Sequence, residues 1–345
     1  MSAGFTPFHA LEHYVDNQQI RIPVVENLLI FGSSYDKSIE RIGMNFQVVQ
    51  PDLNQGKTFP KQKFTILNEA PNQRYSVSVI AGTKFRELNR YYLASALSKV
   101  AYPGSVIIVC ENSLGPDSFK RDLIEIVPKL YNSLQIESKY HCKIINIQVK
   151  QAEDIDQEVL SDWLKLGPVK VNPDDKKYYS LGGFSKDELD IGSALLIENL
   201  PQLRGKGADL GAGNGVLSAA ALRKSAFITN IDLYETNNWS IEAAKKNLGG
   251  FASRAKYHWH DVTLGLIDKD YDFIIMNPPF HVGQNTAPEL GLKFIEIALK
   301  SLKMEGNLYF VANSHLPYAS ALDNYPTKVK LADKDGFTVW HVTKK

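Results

Sequence analysis

The chain has 345 residues, 44% of them hydrophobic and 22% charged, with a formal net charge of +1. This length predicts two domains, each with a core of its own, and the near-zero total charge gives no argument for strong indiscriminate binding to a polyanion. No apolar run approaches the roughly 18–20 residues of a membrane helix, Met1–Gln19 lacks the basic flank and apolar centre of a signal peptide, and Cys110 and Cys142 are too few for a disulfide framework, so a cytoplasmic protein with no membrane role is expected.

In chain order, Leu28–Phe31 reads as a short strand running into Gly32-Ser33-Ser34. Residues 54–99 carry eight basic side chains (Lys57, Lys61, Lys63, Arg74, Lys84, Arg86, Arg90, Lys99) against two acids, Glu69 and Glu87. Phe59, Phe64, Tyr75, Phe85, Tyr91 and Tyr92 are interleaved with them, so the stretch is read either as a surface for a phosphate backbone or as a solvated face around buried rings. Tyr75–Ile80 and Val106–Val109 are further strands, the second entered through Pro103-Gly104-Ser105. The polar, proline-containing Asn172–Lys177 suits a linker between domains spanning 1–172 and 176–345.

The second half reads more sharply. Ala208–Leu210 is a strand, Gly211–Gly215 a glycine turn and Val216–Lys224 a helix. Strands at Ile228–Glu235, Ala255–His258, Tyr271–Met276 and Asn307–Ala312 follow, with helices at Ser240–Leu248 and Pro288–Leu302. Alternating strands and helices predict a mostly parallel sheet covered on both faces. Lys328–Leu331 and Phe337–Val342, joined through Asp335-Gly336, predict an antiparallel hairpin at its edge. The first-half strands match the second half in order and approximate spacing at three landmarks, which predicts a duplicated fold. The first copy has one glycine where the second has three, and Ala81-Gly82-Thr83-Lys84 where the second has Asn277-Pro278-Pro279-Phe280, so it is expected to lack the site.

Three features of the second half carry chemistry. Asp209-Leu-Gly211-Ala-Gly213-Asn-Gly215 lets a ligand approach the backbone closely after a strand, and its Gly-x-Gly-x-Gly spacing differs from the dinucleotide fingerprint. Glu235, twenty residues beyond Gly215 at the end of the next strand, is placed to accept hydrogen bonds from ribose hydroxyls; Asp232 is read as structural. Asp261 is placed either to accept from an adenine amino group or to cap a local turn. The sharpest signal is Asn277-Pro278-Pro279-Phe280 directly after a buried strand: two prolines stiffen the backbone and aim the Asn277 amide and the Pro278 carbonyl. Two acceptors for one NH₂ group, followed at once by an aromatic face, suit an extruded base.

These segments resemble the class I S-adenosylmethionine-dependent methyltransferases, a duplicated Rossmann-like α/β fold, and more closely the bacterial small-subunit ribosomal RNA guanine-N2 methyltransferases. The resemblance rests on Gly183-Phe-Ser185 with Leu189-Asp-Ile-Gly-Ser193, the Asp209–Gly215 turn, Asn277-Pro-Pro-Phe-His281 and Val311-Ala-Asn-Ser-His-Leu-Pro-Tyr318. It covers residues 179–345 and is weak over 1–170; Glu235 stands where Asp is frequent. It implies S-adenosylmethionine as cofactor, held by Asp209, Gly211, Gly213, Gly215, Glu235, Asp261 and Asn277, with Asn277, Pro278 and Phe280 at the reacting amine and no metal. The implied partner is ribosomal RNA or the small subunit, met by Pro279, Phe280 and His281 and by Lys57, Lys61, Lys63 and Arg86 of the first half, on a monomer. Adenine-N6 or protein-glutamine methylation, which present the same planar NH₂ group, and a non-catalytic RNA-binding or assembly role are the alternatives; Phe280 in place of Tyr leans toward guanine.

Overall fold

The computed structural model describes all residues except 1–5, 18, 21–27, 184–189, 280, 283–284, 287, 317, 319–321 and 323–326, and describes residues 281–282 and 285–286 through their backbone alone. It divides into two units, Met1–Pro168 and Val169–Lys345.

The first unit contains α1 (Pro7–Asp16), β1 (Leu28–Phe31), β2 (Phe46–Val49), α2 (Leu53–Gly56), β3 (Phe64–Leu67), β4 (Tyr75–Ala81), α3 (Arg86–Lys99), β5 (Val100–Glu111), α4 (Asp117–Ile126), β6 (Gln135–Lys139), β7 (Cys142–Val149) and α5 (Gln157–Leu164). The second contains β8 (Val169–Val171), β9 (Tyr178–Ser180), α6 (Ile191–Asn199), β10 (Gly205–Leu210), α7 (Val216–Lys224), β11 (Ile228–Glu235), α8 (Asn238–Asn247), β12 (Ala255–Trp259), β13 (Tyr271–Met276), β14 (His281–Val282), β15 (Asn285–Thr286), α9 (Pro288–Ser301), β16 (Leu302–Asn313), β17 (Val329–Lys334) and β18 (Phe337–Thr343).

Each unit is built on a seven-stranded sheet, ordered β3-β2-β1-β4-β5-β7-β6 in the first and β12-β11-β10-β13-β16-β18-β17 in the second. Counted within each sheet the order is the same, with five parallel strands and an antiparallel hairpin at one edge. The predicted duplication is therefore present, and it extends to an irregularity. Pairing of β4 with β5 runs from Tyr75↔Val100 to Val77↔Ser105, and pairing of β13 with β16 runs from Tyr271↔Leu302 to Phe273↔Asn307. Both slips insert three extra residues on the second strand. A glycine is required at each: a methyl group on Gly104 would meet the Ala101 carbonyl at 2.5 Å, and one on Gly306 the Lys303 carbonyl at 2.9 Å.

Period-two alternation sorts the second sheet's side chains onto two buried faces. Ala208, Leu210, Ile274 and Met276 pack with α9 residues Phe294, Ile295 and Ala298, whereas Ile231, Leu233, Phe273 and Ile275 pack with Leu217 and Leu222 of α7 and Leu196 of α6. The join expected at Asn172–Lys177 differs from the observed division. Those residues form the turn of the β8–β9 hairpin, within the second unit, because Asn247 at the end of α8 bonds both the amide (2.7 Å) and the carbonyl (2.8 Å) of Tyr178. Polar composition marks a turn and a linker equally well; the side-chain clamp decides between them.

Candidate active site

The site forms where two neighbouring parallel strands end. Leu210 pairs with Met276, so Gly211 and Asn277, the next residue on each strand, emerge side by side at the carboxyl edge of the sheet. There the strand order reverses, the place where open α/β sheets bind ligands. A methyl group on Gly211 would lie 3.5 Å from Phe294 and 3.9 Å from Pro279.

Gly211, Gly213 and Gly215 all have positive φ, at 69°, 54° and 77°. Around Gly213 a side chain would find nothing within 4 Å, whereas at Gly215 it would strike Leu248 at 2.6 Å. The first glycines thus open the turn to a ligand, and the last admits the packing of α7 against α8. Glu235 ties the turn to the end of β11. Its Oε2 accepts from the Gly213 amide at 2.8 Å, and its Oε1 accepts from the amides of Thr236 (2.8 Å) and Asn237 (2.9 Å). Asn247 adds a second tie, donating to the Asn214 carbonyl at 2.9 Å.

Asp209 departs from its expected role as a cofactor ligand. It is fully buried, and its Oδ2 accepts from the amide (3.1 Å) and hydroxyl (2.6 Å) of Ser218 in the first turn of α7. It is a support beneath the turn. Burial, with a smaller contribution from the charge of Glu235, pushes its carboxyl up to about 7, and its Oδ1 has no hydrogen-bond partner among the described residues. Asp261 caps the turn at Val262–Leu264, Oδ1 accepting from the Thr263 amide at 2.9 Å and hydroxyl at 2.7 Å. Asp232 is structural, as expected, accepting from the Tyr271 hydroxyl at 2.8 Å inside the core.

Asn277 is held by two residues to which the sequence alone assigns no role. Its Nδ2 donates to Asp190 Oδ2 at 2.7 Å and to Ser193 Oγ at 2.9 Å. A carboxylate only accepts, so turning the amide over would lose the bond to Asp190 and set two oxygens against each other. Oδ1 is left buried and without a hydrogen-bond partner among the described residues, an arrangement that is costly unless a donor arrives. Asp190 caps α6, accepting from the Ser193 amide at 2.9 Å. The signal in the sequence is Asp190-x-x-Ser193 before an apolar run, the pattern of a helix start, but capping alone does not reveal a bond to a residue 87 positions away. Phe280 and residues 184–189 lie outside the described residues, and His281 opens the short β14–β15 hairpin with only its backbone described.

The basic stretch of the first unit is rearranged by its folding. Lys63 is paired with Glu40, and Arg86 grips the buried Asp122 at 2.6 Å, joined there by Arg90. Two of the four residues expected to meet phosphates are thus spent on internal ion pairs. Lys57 and Lys61 are exposed. Phe59, Phe64, Tyr75 and Tyr92 are buried, so the solvated-face reading holds for most of the rings.

Residues 178–341 match the methyltransferase small domain family. The chain is 30% identical over 260 residues to a ribosomal RNA small subunit methyltransferase C of Psychromonas ingrahamii, covering 75% of this chain and 72% of that protein. Against the protein of the same name from Acinetobacter baumannii it is 29% identical over 304 residues, 86% of each chain. Its fold matches the T. thermophilus 16S rRNA N2 G1207 methyltransferase in complex with AdoMet and guanosine, with a TM-score of 0.75 over 99% of this chain and 93% of that one at 18% identity. With the glycine turn, the oriented asparagine and relatives matched across both units, the chain belongs to the ribosomal RNA small subunit methyltransferase C family.

Proposed function

We propose that this chain methylates the exocyclic N2 amino group of a guanine in 16S ribosomal RNA, using S-adenosylmethionine. The observation that carries the reading is the Asn277 amide, whose oxygen is buried and without a partner while its nitrogen is anchored. An oriented acceptor of this kind accepts a hydrogen bond from a planar NH₂ group, drawing the nitrogen lone pair out of conjugation and fixing its direction. The Pro278 carbonyl, stiffened between two ring-constrained residues, is the proposed second acceptor, and Phe280 the face on which the base stacks.

The second unit's residues fit the cofactor: the turn at Gly211–Gly215 leaves room beside Gly213, and Glu235 stands at the turn with its carboxylate already aligned by backbone amides. Glu235 would accept from the ribose and Asp261 from the adenine amine. When bound, the cofactor supplies a methyl group made electrophilic by a positively charged sulfur. The contribution of Asn277 is to position, since an amide does not titrate usefully. Holding two reactants in line supplies on the order of several kcal/mol. The methylated nitrogen, cationic as the new bond forms, is acidic enough to lose its proton to water.

The first unit is proposed to hold RNA without holding cofactor, through Lys57 and Lys61. The second unit's twenty basic and twenty acidic residues over 171–345 leave it no positive surplus with which to hold a polyanion. Mapping methylated nucleotides in small-subunit RNA from cells with and without the protein tests the function. Loss of one N2-methylguanine is expected; loss of an N6-methyladenine or of a protein methylation instead would overturn it.

A further inference from the structure

Asp190 does more than anchor Asn277. Both of its hydrogen bonds use Oδ2, which accepts from the Ser193 amide and from Asn277 Nδ2. Oδ1 makes no hydrogen bond with any described residue, and the side chain is only partly buried. A second acceptor therefore stands one hydrogen bond away from the buried, unpartnered Asn277 Oδ1. Two acceptors carried by a hydrogen-bonded pair of residues match an edge carrying two adjacent donors. Guanine has that edge, N1–H beside the N2 amine. Adenine has a lone pair at N1 beside its amine, which an ionised carboxylate repels.

We infer that Asp190 is a specificity-determining residue, its Oδ1 accepting from guanine N1–H while Asn277 Oδ1 accepts from the N2 amine. The inference rests on the methyltransferase reading above and adds to it the reason that one purine is chosen. A site built to bond a substrate N–H rejects an analogue lacking it, because the acceptor then faces a lone pair and is left unpaired.

The test compares guanine with 2-aminopurine, placed at the mapped position of small-subunit RNA. Both carry the N2 amine, but 2-aminopurine has a lone pair at N1. The parent protein is expected to prefer guanine by roughly 100-fold or more in kcat/KM. Asp190→Asn, which can offer an N–H to that lone pair, should shrink the preference to less than about 10-fold. The same compression should appear in binding by the cofactor-free protein, read from 2-aminopurine fluorescence in competition with the guanine RNA. Ser193→Ala weakens the hold on Asn277 without touching the carboxylate, so it should slow both bases alike and keep the preference. Unchanged cofactor affinity of each variant shows that the fold is intact. If Asp190→Asn slows both bases by one factor, or if the parent protein does not distinguish them, Asp190 only orients Asn277 and the inference is wrong. If Asn277→Ala methylates guanine as fast as the parent, the proposed function itself fails, a separate result.

Discussion

The two units draw the same sheet and finish it differently at its carboxyl edge. Gly32 and Gly211 occupy the same place, each donating its amide to the neighbouring strand, to Val49 in the first unit (3.1 Å) and Tyr234 in the second (2.9 Å). The residue before that turn's last strand position is Ile30 in one and Asp209 in the other. At the end of the neighbouring strand, Gln50 stands where the second unit has Glu235. Their bonds run in opposite directions: Gln50 donates to the Ser33 carbonyl at 2.8 Å, whereas Glu235 accepts from the Gly213 amide. After β4, Asn89 closes the loop by bonding the Thr83 amide (2.9 Å) and carbonyl (2.8 Å); after β13, Asn277 is left with an open acceptor. Tyr92 and Phe294 are each the seventh residue of a fourteen-residue helix. The Tyr92 ring comes within 2.7 Å of where a Gly32 side chain would begin, and Phe294 stays 3.5 Å from the same point at Gly211. The core keeps the fold in both copies, while the strand ends are free to diverge because little packing depends on them. In the first unit those ends satisfy one another; in the second they are held ready for a partner.

The largest effect expected is at Asn277. Asn277→Ala should lower kcat by roughly 100- to 1000-fold, the scale seen when one oriented polar group is removed at a reacting centre. Cofactor affinity measured by calorimetry should stay within about twofold, since the amide serves the target amine and not the cofactor. Equal loss of both quantities would show that this strand end, unlike its closed counterpart at Thr83, belongs to the cofactor.

Next is the buried carboxyl that replaces Ile30. The native state raises Asp209 from 3.8 to about 7, so over that interval it keeps a proton that the unfolded chain has released. Stability from this group is full below about 4, falls as pH rises toward 7, and is level above it; the loss is on the order of 2–4 kcal/mol. Asp209→Asn should flatten the fall. Hydrogen exchange at pH 5 and pH 8 checks it, and a pH-dependent loss confined to the first unit would contradict the comparison.

A smaller change makes the second unit resemble the first. Glu235→Gln keeps one oxygen for the turn but sets an NH₂ group against the Gly213 amide, and should weaken cofactor binding by roughly 1–3 kcal/mol. Gln50→Glu should create no cofactor binding, because Tyr92 and Gln55 still fill the turn around it.

The smallest effect concerns the first unit's charges. Replacing Lys57 and Lys61 with Ser should reduce the salt dependence of RNA binding by about one slope unit for each phosphate left without its lysine. Lys63→Ser should leave that slope unchanged, its charge being paired with Glu40. Arg86→Ala should instead lower the melting temperature, since Asp122 is buried and would keep only Arg90, leaving a buried charge less well compensated. An unchanged slope after both exposed lysines are removed would move RNA binding to the edge around Asn277.

Much of this was legible in the sequence because it is local. β11 and α7 lie where the apolar runs and the glycine turn predicted them, and the Asp335-Gly336 hairpin turn has both residues at positive φ, 54° and 80°. Strand runs, glycine spacing and the Asn277-Pro278-Pro279 stiffening act over a few residues, so composition in a short window determines them. What only the tertiary structure decided is which distant polar groups meet. Asp190 finds Asn277, Arg86 finds Asp122, Lys63 finds Glu40, and Asp209 turns inward to Ser218 and not outward to a ligand. A side chain's charge is written in the sequence, but whether that charge is spent inside the protein or left for a partner depends on what strand order and register bring within hydrogen-bond reach.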